Sequence, residues 1–167
     1  YKIGLISSRY SDSKNKVLEK KEEPRWKKTY SLITSGMLHN VKAIIETGMY
    51  NEALFIDSVD FDYVLRVAQR GFDTYLLENR ILIHELGNPK VAKVLWFYVS
   101  STNHSALRRY YQARNNIYLF RKYLKGYPVY ILKRNYSFLV YILRMVVVDD
   151  DRWNKIRMTI RGLKDGF

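Results

Sequence analysis

The sequence predicts a mixed α/β domain that is followed by two or three α-helices. The short apolar stretch 2–8 is typical of a buried β-strand, and residues 29–34 alternate as a second strand should. From Ser58 to Arg70 the apolar residues instead lie three or four positions apart, which is the spacing of a helix with one buried face. The same spacing returns over 106–124. Strands and helices therefore alternate in the first part of the chain, and the last part is helical.

A loop, a turn and a short helix are expected around the second predicted strand. Residues 9–28 are polar and dense in charge, which predicts an exposed loop. Ser35 and Gly36 follow the strand and predict a turn. A short helix is expected over 37–47, and Gly48 is expected to end it, because glycine readily adopts the backbone conformation found after a helix.

The remaining predicted strands lie on either side of the helix at 58–70. Residues 54–56 are apolar and are expected to enter that helix as an extended, buried segment. After the helix, 72–77 and 80–86 are expected to be two short strands separated by polar residues.

The positive charge is concentrated near the C-terminus. The chain has 167 residues and a formal net charge of +13. Residues 1–103 contain 15 basic and 12 acidic side chains, whereas 104–167 contain 14 basic and four acidic ones. We therefore expect a nearly balanced domain at 1–103 and a basic, tyrosine-rich helical tail at 104–167. A basic surface of this kind indicates an anionic partner, such as nucleic acid, lipid headgroups or a phosphorylated substrate.

Two or three helices are expected in the tail. The first, 106–124, is ended by a glycine and a proline, and the second apolar stretch is 130–148. Lys133, Arg134 and Arg144 interrupt that second stretch, so it is too short and too charged to cross a bilayer. The three aspartates at 149–151 are expected to cap the last helix at 152–163, in preference to binding a metal.

Several classes of protein are excluded by what the sequence lacks. It has no cysteine, so disulfides and thiolate metal sites are excluded, and a reducing compartment is consistent with this. It also contains no P-loop, no dinucleotide-binding glycine pattern and no serine nucleophile elbow. Because the chain begins with Tyr1 and not with methionine, we expect it to be a piece of a longer protein.

Three aspartates, Asp57, Asp60 and Asp62, stand in an otherwise apolar segment. Asp60 and Asp62 fall in the first turn of the predicted helix, with Ser58 as its N-cap, where the helix dipole favours negative charge. That placement is a sufficient structural explanation for them. Crowding of the three carboxylates also tends to raise one pKa towards neutrality, and Arg66, one turn beyond Asp62, is placed to pair with it.

The sequence around these acids resembles family 2 glycosyltransferases, especially the rhamnosyltransferase-like branch. The wider family often has Glu at the position of Val59, whereas the rhamnosyltransferase-like branch has Val there, as this sequence does. The resemblance extends over about residues 3–125 and is most specific over 35–87. It implies that the chain is the C-terminal part of a GT-A type nucleotide-diphospho-sugar transferase fold. The residues that carry it are Gly48, Tyr50, Glu52, Leu54, Phe55, Ile56, Asp57, Val59, Asp60, Asp62, Leu65, Arg66, Gly71, His84 and Gly87.

The resemblance also implies roles for individual residues. Asp60 matches the position of the catalytic base, which takes the proton from the acceptor hydroxyl as that hydroxyl attacks the anomeric carbon. His84 matches a position that helps to hold a metal or the nucleotide diphosphate, and a divalent metal, Mg or Mn, is expected in the intact enzyme. Substrate-binding roles are implied for Thr34, Ser35, Gly36, Asp57, Asp62 and Arg66.

The function implied by the resemblance is inverting transfer of a sugar, such as rhamnose, from a nucleotide sugar to a saccharide or lipid-linked saccharide acceptor during bacterial surface polysaccharide synthesis. The metal-binding Asp-x-Asp of such enzymes precedes the region matched here. The chain is therefore expected to hold the acceptor side, 1–103, and to lack most of the donor site. Half of the sheet that the resemblance implies would then be absent, so its open edges and uncovered apolar surface predict self-association into a homo-oligomer. The expected location is the cytoplasm, including the inner face of the cell membrane.

Two other classes of function remain open on the sequence alone. One is a non-catalytic basic helical module that binds an anionic surface or nucleic acid, and the other is a tyrosine-rich piece used for oligomerisation. Polar residues spaced inside apolar strands favour the transferase, and nucleic acid is the least favoured partner. An anionic membrane surface is an expected partner of the last helix through Arg152, Lys155, Arg157 and Arg161. The basic module uses Arg108, Arg109, Arg114, Arg121 and Lys122.

Overall fold

The computed structural model describes residues 2–11, 23–83 and 89–167. These residues form a mixed α/β structure, as predicted, with one four-stranded mixed sheet, one β-hairpin and five α-helices. The chain divides into two compact units. Of the described residues, the first unit contains 2–53 and 59–83, and the second contains 54–58 and 89–167.

The first unit is built on a mixed sheet with the strand order β2-β4-β1-β3. The two central strands, β1 and β4, run parallel, and an antiparallel edge strand lies on each side of them. Leu5 on β1 is fully buried in the core of this unit. The strands are β1 (Ile3–Ser11), β2 (Trp26–Lys28), β3 (Leu38–His39) and β4 (Asp73–Ile83).

The first predicted strand is confirmed, and residues 23–25 form part of an exposed loop as predicted, but residues 9–11 and 26–28 are strands and 29–34 are not. β1 continues to Ser11, and residues 26–28 form β2 because their backbone pairs with β4. Residues 29–34 are not a strand, although Leu32 is buried in the core. Their alternation therefore reflects packing of an irregular segment. Residues 12–22 lie outside the described residues.

A single strand replaces the two that were predicted at 72–77 and 80–86. Pairing with β1 shifts between Ser8–Leu77 and Arg9–Ile81, so residues 78–80 form a bulge. The side chain of Asn79 stabilises the bulge, because it accepts a hydrogen bond from the Arg25 amide (3.0 Å) and donates one to the Glu23 carbonyl (2.6 Å). The last residues of the second predicted strand, 84–86, are not among those described.

Two helices, α1 (Val41–Thr47) and α2 (Val59–Gln69), belong to the first unit. α1 begins later than predicted, since residues 38–39 pair with β1 and Asn40 caps the helix by accepting a hydrogen bond from the Lys42 amide (2.9 Å). It ends at Gly48, which has a φ of 79°, as predicted. The predicted start of α2 and the placement of its acids in the first turn are also confirmed.

The segment 54–58 differs most from its prediction. Instead of extended backbone, it begins at the end of a 3₁₀ helix (Glu52–Leu54) and then contains three non-glycine residues with positive φ. These are Phe55 (59°), Asp57 (63°) and Ser58 (65°). Left-handed backbone is rare for non-glycine residues, so this segment must be held by contacts with other parts of its unit.

The second unit contains a hairpin and three helices. The hairpin, which the sequence analysis did not predict, consists of β5 (Lys90–Val94) and β6 (Phe97–Ser101). Of the two or three helices predicted after the domain, three are present: α3 (Ala106–Tyr123), α4 (Pro128–Val148) and α5 (Arg152–Gly166). Of the helices in the described residues, none is both long enough and apolar enough to cross a membrane.

The aspartates before α5 have a different role from the predicted cap. Asp149 is buried and accepts hydrogen bonds from Arg109 Nη2 (2.9 Å) and Lys155 Nζ (3.1 Å), both of which are also buried. Burial alone raises the pKa of Asp149, but hydrogen bonds from Ser101, Arg109 and Lys155 outweigh it, and the pKa lies below its usual value. Asp151 precedes α5, yet its carboxylate accepts from Asn154 Nδ2 (2.9 Å) and makes no cap hydrogen bond.

Candidate functional site

Asp62 and Arg66 form a buried pair within the first unit. Asp62 is completely inaccessible to solvent, and its Oδ2 accepts a hydrogen bond from Arg66 Nε at 2.8 Å. The same guanidinium donates to the carbonyls of Thr47 (3.0 Å) and Met49 (2.7 Å). The predicted pairing is thus confirmed, and it joins α2 to the end of α1. A substrate contact for either side chain stays a prediction.

Asp60 lies in the first turn of α2 and is half-buried. Burial, together with the nearby Tyr63 and the charge of Asp60, raises the pKa of Tyr50 to about 12. The Tyr50 hydroxyl is 3.1 Å from His39 Nε2, and its ring centroid is 4.6 Å from that of Tyr63. Burial lowers the pKa of His39, so the imidazole is neutral at pH 7. The charge of Asp60 therefore acts on a cluster of rings in which Tyr50 and His39 are joined by a hydrogen bond.

Thr34, Ser35 and Gly36 form the predicted turn. It is closed by a hydrogen bond from the Met37 amide to the Thr34 carbonyl (3.1 Å), and Gly36 has a φ of 68°. A Cβ atom at Gly36 would lie only 3.0 Å from Leu82 Cδ2, so both backbone conformation and space favour glycine. A cavity of about 350 Å³ adjoins the preceding residues 31–33, which is within the size range of small-ligand sites. Sugar binding here stays a prediction.

Asp57 belongs to the second unit, where Arg108 holds its carboxylate. Arg108 Nε donates to Oδ2 at 2.8 Å and Nη2 donates to Oδ1 at 3.2 Å, which is the bidentate geometry of a strong ion pair. This hydrogen bond and the charge of Asp57 raise the pKa of Arg108, against the opposing effect of burial. The carboxylate of Asp57 is therefore fixed in position by two hydrogen bonds.

Asn115 on α3 holds the backbone that carries Asp57. Its Nδ2 lies within hydrogen-bond distance of three carbonyls, those of Leu54 (2.8 Å), Ile56 (2.9 Å) and Asp57 (2.9 Å). Asn115 is completely buried. These contacts explain how the segment 54–58 maintains its positive φ values. Asn115 was not predicted as a site residue. The sequence feature that could have indicated it is a pair of adjacent asparagines, Asn115 and Asn116, inside a predicted helix.

His104 stands just before α3 and was also missed. Burial lowers the pKa of His104 to about 4, with Arg108 and Arg109 adding to the effect and Asp57 and Asp149 opposing it. Its ring centroid is 6.5 Å from that of Tyr141. The imidazole is therefore neutral at pH 7, next to the ion pair of Asp57.

The basic side chains proposed for an anion-binding module are engaged inside the second unit. Arg108 and Arg109 hold aspartates, and Arg114 lies over the Tyr111 ring at 4.8 Å. Arg121 donates to the Phe167 carbonyl, and Lys122 donates to the Tyr118 hydroxyl (2.9 Å). The surface predicted for membrane contact is likewise reduced, because Lys155 is buried against Asp149. The charges of Arg108, Arg109 and Lys155 are therefore engaged by aspartates, whereas Arg121 and Lys122 remain exposed, and the basic-module hypothesis stays a prediction.

A metal site is not found in the described part of the chain. No group of three His, Asp or Glu side chains comes together there in a way that suits a metal ion. His84, the predicted ligand, lies outside the described residues.

Comparison with known proteins relates the chain to glycosyltransferases. It is similar to a protein described as dTDP-rhamnosyl transferase RfbF, from Shigella flexneri, with 27% identity over 136 residues. The match covers 81% of this chain and 44% of that protein, so the chain spans less than half the length of this relative. No family model and no solved structure matches the chain.

Proposed function

We propose that this chain is the acceptor-side, C-terminal part of the catalytic domain of an inverting, GT-A type glycosyltransferase of family 2. The observation that carries the proposal is the match to a dTDP-rhamnosyl transferase. The match covers 136 of 167 residues, so wherever the match begins and ends it includes the start of α2, which carries Asp60 and Asp62. The donor we propose is dTDP-rhamnose or a related nucleotide sugar, and the acceptor is a growing bacterial surface polysaccharide.

Asp60 is the residue we assign as the catalytic base. It matches the position of the base in the family pattern, and it lies half-buried at the start of α2. Its carboxylate takes the proton from the acceptor hydroxyl while the oxygen attacks the anomeric carbon and the nucleotide diphosphate leaves from the opposite face. Tyr50 has a pKa of about 12, so it remains a phenol and can donate a hydrogen bond beside this carboxylate.

The other acids are held by arginines, each within its own unit. Asp62 is bonded to Arg66, which in turn holds two carbonyls after α1, so the pair fixes the start of α2. Asp57 is held by Arg108. Substrate contacts remain part of the proposal for Asp57, Asp62, Arg66 and the turn at 34–36.

The remaining parts of the proposal concern the intact protein. A divalent metal, Mg or Mn, would stabilise the charge of the departing diphosphate. His84 is the residue of this chain proposed to contribute to holding it. We also propose a cytoplasmic location, with a lipid-linked acceptor at the inner face of the membrane and self-association through exposed apolar surface.

The proposed function is tested by a transfer assay on the full-length protein that contains this chain. The protein is incubated with dTDP-rhamnose, UDP-glucose or UDP-galactose and with a lipid-linked oligosaccharide from a strain that makes the polysaccharide. Mass spectrometry should detect one added deoxyhexose with the first donor, and NMR should show inversion at its anomeric carbon. Absence of transfer from every nucleotide sugar would contradict the proposal.

A further inference from the structure

We propose that Phe55 and Tyr111 form a carbohydrate-stacking platform for a neutral pyranose ring of the acceptor, an inference that rests on the proposed function. Both residues belong to the second unit, and their ring centroids are 5.0 Å apart with an angle of 44° between the planes. These two rings form the platform.

Phe55 is presented to solvent in a way that folding alone does not favour. Its residue surface is 68% exposed, although an aromatic ring contributes most to stability when it is buried. Its φ of 59° is a rare and strained conformation for a bulky side chain. Strained backbone of this kind concentrates at ligand sites, where surrounding contacts maintain it.

The contacts that maintain the strain come from α3. Asn115 binds the carbonyls on both sides of Phe55, those of Leu54 and Ile56, and Arg108 holds the Asp57 carboxylate two residues later. The buried Asn115 amide and the bidentate ion pair of Asp57 and Arg108 thus fix residues 54–58, which carry the exposed Phe55 ring. The ring is therefore preorganised, which reduces the entropy lost when a ligand packs on it.

Tyr111 is fixed by the same set of residues. The Arg114 guanidinium lies over its ring, 4.8 Å from the centroid. Arg114 Nη2 also donates to Asn115 Oδ1 at 2.9 Å, so the two sides of the platform share one support. Tyr110 continues the aromatic surface, with its centroid 5.1 Å from that of Tyr111.

The chemistry of the platform suits a neutral sugar. One face of a pyranose presents C–H groups, which pack on the electron-rich face of an aromatic ring, while its hydroxyls need polar partners at the edge. The Tyr111 hydroxyl and the half-buried ion pair of Asp57 and Arg108 offer such donors and acceptors nearby. Two rings bordered by charged side chains are too small an apolar surface for a stable protein interface.

The test uses the full-length protein and separates acceptor binding from catalysis. Phe55→Leu keeps an apolar side chain but removes the ring. It should raise the KM for the acceptor about tenfold, because loss of one stacking contact weakens binding by about a factor of ten. The KM for the donor and kcat should stay within twofold of wild type. Phe55→Trp keeps an aromatic ring and should therefore have the wild-type KM for the acceptor. Tyr136→Leu removes an equally exposed ring, 70% accessible, from α4 and should change nothing.

A binding measurement is made in parallel with methyl α-L-rhamnopyranoside as the probe. Saturation-transfer NMR should show transfer from aromatic protons to the sugar in the wild type and in Tyr136→Leu, and none in Phe55→Leu. An acceptor KM unchanged in Phe55→Leu would overturn the platform while leaving the proposed transfer intact. If the wild type transfers no sugar, the proposed function fails, and absence of saturation transfer to the methyl glycoside would then overturn the platform as well.

Discussion

Arg108 and Asp57 are joined by two hydrogen bonds, Nε to Oδ2 at 2.8 Å and Nη2 to Oδ1 at 3.2 Å, across 51 positions of sequence. Arg108→Lys should lower the free energy of unfolding by about 1 kcal/mol, because lysine is a point charge that cannot reproduce the bidentate geometry. The effect is modest since the Arg108 side chain is 38% exposed and partly screened by water. Urea denaturation measures it, with Arg157→Lys on the exposed face of α5 as the control. Equal stability of the two variants would contradict the assigned role.

Asn115 should contribute more to stability than its neighbour Asn116. Asn115→Ala removes the donor shared by three backbone carbonyls and should lower the free energy of unfolding by about 2–3 kcal/mol, because buried polar groups are then left without a partner. Asn116 is nearly as buried but bonds one side chain, Asn135, at 2.8 Å. Asn116→Ala should therefore lower stability by about 1 kcal/mol. Equal losses in urea denaturation would indicate that Asn115 has no special role in holding 54–58.

The helices were predictable from the sequence, whereas the segment 54–58 was not. Apolar spacing is a local property, and it located α2, α3 and α5 close to their observed positions. The backbone of Phe55 and Asp57 depends instead on Asn115, about 60 residues later in the chain, so the apolar letters at 54–56 suggested extended structure. No local pattern reports a contact of that kind.

The difference between local patterns and contacts that are distant in sequence also explains which strands and which aspartate contacts were predicted. β1 was predicted because Ile3, Leu5 and Ile6 form a short apolar run, but β2 consists of three residues whose strand conformation depends on pairing with β4. The pairing of Asp62 with Arg66 was predictable because the two are four residues apart on one helix. The burial of Asp149 between Arg109 and Lys155 was not, since it requires the packing of α3 and α5.

His104 should make stability depend on pH between about 6.5 and 4. In the folded chain its pKa is about 4, whereas an unfolded histidine takes up a proton near 6.5. Between these values only the unfolded state binds the proton, so the free energy of unfolding falls as the pH is lowered, by at most about 1.4 kcal/mol per pH unit. Below pH 4 both states are protonated and this dependence ends. Urea denaturation at several pH values should show a smaller slope for His104→Gln, and an unchanged slope would contradict the assignment.

Gly162 on α5 should not tolerate a larger side chain. A Cβ atom there would lie 2.2 Å from the Tyr110 carbonyl oxygen on α3, so the two helices would have to separate. Gly162→Ala should therefore lower the free energy of unfolding by about 2 kcal/mol, even though alanine favours a helix. Gly126→Ala is the matched control, because nothing lies within 4 Å of the added atom. If thermal denaturation shows the two variants to be equally stable, the close approach of α3 and α5 is wrong.

The rate of sugar transfer by Asp60→Asn tests the central claim most directly. In the full-length protein this change should lower kcat about 10²- to 10⁴-fold, because the amide cannot take the proton from the acceptor hydroxyl. Binding of the nucleotide sugar, measured by calorimetry, should remain within threefold of wild type, and Glu46→Gln in α1 should leave both quantities unchanged. A near-normal kcat in Asp60→Asn, with loss of activity in Asp57→Asn or Asp62→Asn instead, would contradict the assignment of Asp60 as the base.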